Sequence, residues 1–296
     1  DWEIEDPEDP WSTIGYWGDH QIIYLLKLLE LSRRHHPQHI AQLLHQPIFS
    51  YANVPYRIRS FELLLQNPKS TVDFDQDLAD RIEQRVSRVG ADGKLVFGAD
   101  DNVYQVTLLE KLLVPLLAKL GNFVPDGGIW LNTQRPEWND ANNALVGNGL
   151  SMVTLFYLRR YIGFLTDLLE SETATARISS EIADWLADTA SAMRTLAGQL
   201  SGDSVSPAQR FNTLQELGRA ASKYRQAVYN NEGFSGQVEV DLSTIRQLLA
   251  DALTAADHSI RNNRRNDGLY HAYNLLEIDA ETARVDALYA MLEGQV

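Results

Sequence analysis

The sequence predicts an all-α fold, built as an assembly of helical hairpins. Apolar residues recur at steps of three and four along most of the 296 residues, which is the spacing of one helix face. Evidence for strands is thin, because only residues 94–97 and 236–240 read as short extended pieces. About nine helices, joined by loops of differing length, therefore favour packed helical hairpins.

The helical pattern can be followed in chain order. Residues 22–31 repeat apolar positions at helical steps, and a short apolar helix is expected over 39–49. An amphipathic helix is predicted over 73–89, with acidic residues in its first turn, where they favour the helix dipole. Residues 103–123 are strongly apolar and predict a buried helix that Pro115 should kink. Later helices are expected over 141–169, 178–200, 208–229 and 242–262, with a last one beginning near Glu281.

Composition excludes several classes of partner and chemistry. The formal net charge is −14, so the average field repels nucleic acid and anionic membrane surfaces, whereas neutral sugars are compatible with it. The chain has no cysteine, which excludes disulfides, thiolate metal sites and cysteine nucleophiles. No apolar run approaches the roughly 20 residues needed to cross a bilayer. We expect no metal site and no membrane or nucleic-acid partner.

The two ends indicate a segment of a longer polypeptide. The chain starts without Met and stops directly after an apolar stretch, so residues 1–296 are expected to form a single helical domain or a fragment of one. Residues 1–11 are acidic and lack the basic-then-apolar order of a signal peptide. The compartment stays open for a fragment, with the cytoplasm slightly favoured.

The first of three segments that could carry chemistry is residues 15–21. It places Tyr16, Trp17, Asp19 and His20 directly before a helix. Sugars present flat C–H faces edged by hydroxyls, and they are bound by aromatic rings beside carboxylates, imidazoles and amides. A structural interpretation is equally open: Asp19 caps the following helix and Trp17 packs beneath it.

The second segment, residues 130–143, mixes polar and aromatic side chains most densely and leads into an apolar helix. A polar loop at the mouth of a buried helix is where sites tend to be built. Its candidate acids are Glu137 and Asp140, and its candidate substrate contacts are Arg135, Trp138, Asn139 and Asn142. The alternative is a surface loop in which Asp140 caps the next helix.

The third segment, residues 264–274, combines turn chemistry at Asp267 and Gly268 with Tyr270 and His271 as candidate sugar or phosphate contacts. A plain turn between helices is the alternative.

Two of these segments resemble a known family. The stretch PEWNDANNALVG resembles the D-W-N-D motif of cellobiose phosphorylases, and NDGLYHAYN is similar to a downstream segment of the same proteins. They belong to glycoside hydrolase family 94, within the (α/α)6 six-hairpin glycosidase superfamily. The resemblance implies an (α/α) helical-hairpin toroid or barrel. Such a barrel has twelve helices, so it would be incomplete in a fragment with about nine.

The resemblance also implies roles for residues of the second segment. Asp140 matches the general acid, Trp138 the neighbouring sugar-site aromatic, and Asn139 a hydrogen-bonding or loop-shaping residue. Glu137 stands where the family has its first Asp. The implied reaction is inverting cleavage or phosphorolysis of a glycosidic bond in a disaccharide or oligosaccharide. Inorganic phosphate could be the co-substrate, and no other cofactor is expected.

Hydrolysis would need a catalytic base, for which Asp19 is a better candidate than Glu137. The site therefore requires that residues 15–21 and 130–143 converge around Asp140. The alternatives are a non-catalytic carbohydrate-binding or scaffolding domain of a larger protein, and a helical interaction domain without a ligand.

Overall fold

The structure is a computed structural model that describes residues 18–68, 70–132, 145–170, 172, 175–200 and 204–289, with only the backbone described at 18–21 and 288–289. Helices, labelled in chain order, make up most of it. Their bounds are α1 Gly18–His35, α2 Pro37–Leu43, α3 Phe61–Gln66, α4 Gln76–Val89, α5 Leu108–Leu120, α6 Met152–Leu169, α7 Ser180–Gln199, α8 Pro207–Asn230 and α9 Leu242–Asn262.

Side-chain caps explain where several helices begin. The Thr107 side chain accepts a hydrogen bond from the backbone of Glu110 at the start of α5, and Asp75 does the same for α4. At the start of α8, Ser206 and Gln209 form a capping box, followed by Pro207 at the first helical position. Most predicted helices are confirmed at these positions, including α9 at both ends.

Three antiparallel sheets accompany the helices. The strands are β1 Tyr56–Ile58, β2 Val72–Phe74, β3 Phe123–Val124, β4 Gly128–Trp130, β5 Gly149–Ser151, β6 Thr175–Ser179, β7 Gln237–Asp241, β8 Tyr273–Asp279 and β9 Arg284–Tyr289. β1 pairs with β2, and β6 pairs with β7. The remaining five form one sheet in the order β3-β4-β5-β8-β9, with Ile129 opposite Ser151 and Leu150 opposite Asn274.

The largest core lies between helices. α5, α6, α7 and α9 meet with their apolar faces, and their most buried members are leucines and isoleucines. They include Leu112, Leu113, Leu116, Leu117, Leu155, Leu158, Ile182, Leu186, Leu248 and Leu249. None of the helices in the described ranges combines the length and apolar composition that a bilayer-spanning segment requires.

A second core forms where the five-stranded sheet meets α3 and α8. Trp130 of β4, Leu150 of β5 and Val285 of β9 pack there against Phe61 of α3 and Leu214 of α8. The sheet thus buries one face against helices, as antiparallel sheets commonly do.

The predicted all-α fold is wrong, and the (α/α) toroid is wrong with it. The structure is 58% helical but 17% strand, and its five-stranded sheet forms a curled antiparallel half-barrel. The strands β3, β4 and β5 have only two or three residues each and are buried throughout. A two-residue alternation cannot show in such short buried pieces, so the sequence predicts no strand at β3 or β4 and includes β5 in the helix expected over 141–169.

The helix expected near Glu281 is also wrong. Residues 273–289 form the hairpin of β8 and β9, and Glu281 lies in its turn. Asp279 shapes that turn by accepting hydrogen bonds from the backbone of Glu281 and Thr282, both at 3.0 Å. The strand predicted at residues 236–240 is confirmed by β7, whereas residues 94–97 form only isolated bridges at Leu95 and Phe97.

Candidate functional site

A cavity of about 580 Å³ lies beside α5, between the β1–β2 strand pair, α8 and the five-stranded sheet. This volume is in the range of small-molecule sites. One face of α5 forms its longest wall, because Lys111, Val114, Pro115, Ala118 and Lys119 recur at helical spacing and all line it. These positions span about 12 Å along the helix axis. The opposite face of α5 carries the leucines of the main core.

Aromatic rings form much of the remaining wall. Trp185 of α7 stacks on Tyr224 of α8, with ring centroids 4.3 Å apart and planes 14° apart. Trp130 lines the cavity from β4, and its indole nitrogen donates a hydrogen bond to the Gly147 carbonyl at 3.1 Å. Tyr51 adds a fourth ring. The cavity therefore offers flat apolar faces with polar groups at their edges.

Lys111 is held at the wall by two neutral groups. Its Nζ lies 3.8 Å from the centroid of the Tyr51 ring, and it donates a hydrogen bond to the Ser50 carbonyl at 2.9 Å. Burial lowers the pKa of Lys111 to about 8, although the nearby Glu110 carboxylate opposes this shift. Part of the amine population is therefore neutral near physiological pH.

Glu110 is fully buried behind this wall. Its carboxylate accepts hydrogen bonds from the Ser179 backbone, the Ser179 hydroxyl and the Tyr51 hydroxyl, each at 2.8 Å. Burial raises the pKa of Glu110, and these hydrogen bonds counteract part of the rise. Because its oxygens are occupied, Glu110 orients Tyr51 rather than entering the cavity.

The charged residues that line this cavity within the described chain are all cations. They are Lys111, Lys119 and Arg225. Arg225 is oriented by hydrogen bonds to the Ser222 hydroxyl at 3.1 Å and to the Arg59 carbonyl at 3.4 Å. In a chain with 40 acidic and 26 basic residues, this local sign is the reverse of the average.

The cavity adjoins the second of the three segments that the sequence singles out, residues 130–143. Trp130, Leu131 and Asn132, which precede residues 133–144, line it, and so does Val146, which follows them. The residues on the two sides of 133–144, here called the stems (130–132 and 145–149), are held together by backbone hydrogen bonds. The Gly147 N–H donates to the Leu131 carbonyl, and the Leu131 N–H donates to the Gly149 carbonyl. Leu25 lies in α1, beyond residues 15–21 of the first segment, and it also lines the cavity.

Most of the predicted site residues lie outside the described residues. These are Tyr16, Trp17, Arg135, Glu137, Trp138, Asn139, Asp140 and Asn142. The backbone of Asp19 and His20 belongs to the first turn of α1, but their side chains are not described. The convergence of Trp17, Asp19 and Asp140 therefore stays a prediction.

Tyr270 and His271 are described, and neither lines the cavity. The Tyr270 ring meets the ring of Phe156 edge-on at 5.2 Å and is 39% exposed. His271 is half-buried, and its Nδ1 finds no hydrogen-bond partner among the described residues. Residues 264–270 do form a turn, because Gly268 has φ +82° and Arg264 pairs with Tyr270 across it, but the segment joins α9 to the strand β8 and not to another helix. The next residues reach the stems, since Tyr273 packs with Leu131 and Leu145.

A buried polar cluster surrounds Asp126, which lies in the turn between β3 and β4. The Asp126 side chain is 1% exposed and contacts Arg210 and His258, both at 3.3 Å. It also accepts hydrogen bonds from Asn262 at 2.9 Å and from the Val205 backbone at 2.6 Å. The cluster fixes the turn between β3 and β4, and hence the position of Trp130. No residue named in this cluster lines the cavity beside α5.

Sequence reasoning missed Lys111, Tyr51, Trp185 and Tyr224. One signal was available: the Glu110-Lys111 pair interrupts the apolar run LLEKLLVPLL, and charges in a buried helix need a reason. The two rings on α7 and α8 had no such signal, because aromatic residues at helical spacing also occur in ordinary cores.

A comparison with protein-family models gave no match, and a comparison with curated proteins gave none either.

Proposed function

We propose that this chain is part of a carbohydrate-active enzyme that cleaves a glycosidic bond with inversion, with the cavity beside α5 as part of its saccharide site. The observation that carries the proposal is the position of the stems. The described residues on both sides of segment 133–144 line a ligand-sized cavity with aromatic walls. The candidate acid Asp140 thus belongs to a segment whose two flanks meet that cavity.

The chemistry of the wall suits a saccharide. Trp130, Trp185 and Tyr224 offer ring faces for the C–H surface of a sugar, and Asn122 and Asn132 offer amides for its hydroxyls. Asn132 already donates a hydrogen bond to the Asn122 side-chain oxygen at 2.7 Å, so this amide pair is ordered before a ligand binds.

In the proposed reaction Asp140 donates a proton to the leaving glycosidic oxygen. The nucleophile attacks the opposite face of the sugar and is either inorganic phosphate or a water activated by Asp19 or Glu137. Phosphate would need no base, and the cationic wall would tolerate its charge. The substrate would be a disaccharide or an oligosaccharide.

A test begins with a panel of disaccharides and oligosaccharides, incubated with the protein with and without inorganic phosphate. Release of a sugar 1-phosphate that depends on phosphate would identify a phosphorylase, and release of a free sugar a hydrolase. Asp140→Asn should then lower kcat by at least about a hundredfold, the scale of a lost general acid, while saccharide binding persists. Asp188→Asn, at an exposed ion pair with Lys223, is the matched control. Unchanged turnover in Asp140→Asn would remove this residue from the mechanism.

A non-catalytic carbohydrate-binding domain is the second candidate function. One observation favours it: the cavity wall has no Asp or Glu among the residues that the structure describes there. This alternative expects saccharide binding without turnover, and equal binding by the wild type and Asp140→Asn.

A further inference from the structure

We propose that Asn148 is a site of spontaneous chemical modification, at which its side-chain amide cyclises with the backbone nitrogen of Gly149 and is then hydrolysed. The pair lies in the stem 145–149, of which Val146 lines the cavity beside α5. The reaction needs only water, and the inference does not depend on the proposed function.

Asn148 and Gly149 form the one Asn-Gly pair among the 296 residues. Cyclisation requires the backbone nitrogen of the following residue to reach the asparagine side-chain carbonyl carbon, and a side chain on that residue hinders the approach. Glycine has no Cβ and the widest range of backbone conformations, so it hinders the reaction least. Asparagine is one of the thermolabile residues of proteins, and this pair is where the chain should be most labile.

The fold leaves the Asn148 side chain accessible to water. Asn148 is exposed, although Leu145, Val146, Gly147 and Gly149 around it are all buried. A hydrogen bond from the Asn148 N–H to the Leu145 carbonyl at 3.0 Å closes a turn in which Gly147 has φ +89°. No hydrogen bond joins the Asn148 side-chain amide to another residue of the described ranges, so the amide is free to rotate towards Gly149.

The Gly149 nitrogen is the second reactant. The Leu131 N–H donates to the Gly149 carbonyl at 2.9 Å, so in a regular ladder the Gly149 N–H would donate to the Leu131 carbonyl. The Gly147 N–H takes that carbonyl instead, at 2.6 Å. The Leu276 N–H bonds the Asn148 carbonyl at 2.7 Å, so the next N–H along β5 points away from β8. Within the described chain, therefore, the ladder does not hold the Gly149 nitrogen.

The proposed reaction consumes one water molecule and releases one ammonia molecule. The Gly149 nitrogen gives up its proton and forms a bond to Cγ of Asn148, while the side-chain nitrogen leaves as ammonia. The product is a cyclic succinimide, and water then opens it at either carbonyl. Opening at Cγ leaves an ordinary aspartate, whereas opening at the backbone carbonyl leaves isoaspartate, in which the main chain runs through the side-chain carbon.

The two products should affect the stems differently. Both add a negative charge, but isoaspartate also adds a methylene group to the main chain. The carbonyls of Asn148 and Gly149 accept the hydrogen bonds from Leu276 and Leu131, and these bonds join β5 to β8 and one stem to the other. We expect the longer main chain of isoaspartate to weaken both of them.

The experiment incubates the purified protein in mildly alkaline buffer and follows its asparagines by peptide mass spectrometry, with electron-transfer fragmentation to separate aspartate from isoaspartate. Asn148 should convert at least about tenfold faster than Asn102, an exposed asparagine followed by Val103. The rate should rise with pH, because the attacking nitrogen must lose its proton. Conversion of Asn148 no faster than that of Asn102 overturns the inference.

Asn148→Gln is the matched control, since glutamine would have to close a larger ring and should not convert. An equal mass gain in that variant would also overturn the inference. Gly149→Ala is unsuitable, because a Cβ there would lie 2.5 Å from the Leu145 Cβ.

Hydrogen exchange at the amides of Leu131 and Leu276 tests the structural consequence. Both should exchange faster in the isoaspartate form than in Asn148→Asp, which adds the charge with an ordinary main chain. Equal exchange in the two forms would refute the weakening of the stems.

Discussion

Gly218 offers a sharp test of how tightly the cavity wall is packed. It lies inside α8, buried against Phe61 of α3, and both residues line the cavity. A Cβ at Gly218 would lie 2.2, 2.4 and 2.9 Å from three atoms of the Phe61 ring, all closer than real contacts allow. Gly163, inside α6, is the matched control, because a Cβ there meets nothing within 4 Å.

The two substitutions should have opposite effects on the free energy of unfolding. Alanine is favoured over glycine in a helix interior by about 0.5–1 kcal/mol, so Gly163→Ala should stabilise the protein by that amount. Gly218→Ala has the same advantage, but it must displace a ring that is 2% exposed. Overpacking of this kind costs about 1–3 kcal/mol, so a net loss of about 1–2 kcal/mol is expected.

Urea unfolding followed by circular dichroism measures both values. The double variant Gly218→Ala with Phe61→Leu should recover part of the loss, since the smaller side chain gives way to the methyl group. If Gly218→Ala is as stable as Gly163→Ala, the close packing of α3 on α8 is refuted. The described shape of the cavity wall would then be wrong as well.

Three further predictions concern buried charge. Asp126→Ala should cost about 3–5 kcal/mol of unfolding free energy, because Arg210 and His258 lose the carboxylate that they contact. Asp188→Ala, at an exposed ion pair, should cost less than about 1 kcal/mol. Equal losses of the two variants in urea unfolding would contradict the buried cluster. Lys111 should be the most readily acylated of the six lysines at pH 7.5, because burial lowers the pKa of its amine to about 8. Peptide mass spectrometry of labelling against pH should give a midpoint near pH 8 for this residue. A midpoint above 10 would contradict the burial of the amine. Between pH 8 and 10.5 the folded chain has released the Lys111 proton while the unfolded chain retains it, so stability should rise with pH there, and Lys111→Met should flatten the rise.

The helices were largely predictable because each is long enough to repeat its pattern. α4 and α9 carry several turns of apolar spacing and a capping aspartate, so their positions follow from local rules. The five-stranded sheet was not predictable by the same reasoning. Its strand β5 is three buried residues whose partners, β4 and β8, lie about 20 and 125 positions away. Such pairing leaves no local signal.

The candidate site divides in the same way. The concentration of polar and aromatic residues at 130–143 directed attention to a segment whose described flanks line the cavity. The cationic and aromatic wall could not be found this way, because Tyr51, Lys111, Trp185 and Tyr224 come from four distant parts of the chain. Tyr270 and His271 show that a polar, aromatic segment can also mislead. They come just before Tyr273, which packs with Leu131 and Leu145, but they do not line the cavity.

The amino-acid sequence by itself determined the helices, their caps and the acidic surface charge, because these depend on residues within a few positions of each other or on composition alone. The tertiary structure decided that short buried strands pair into a half-barrel and that a cavity stays open beside α5. It also decided that the charged residues on the described part of the cavity wall are cations. These properties depend on contacts between residues far apart in the chain. Their free energies come from burial and packing, which no local pattern records.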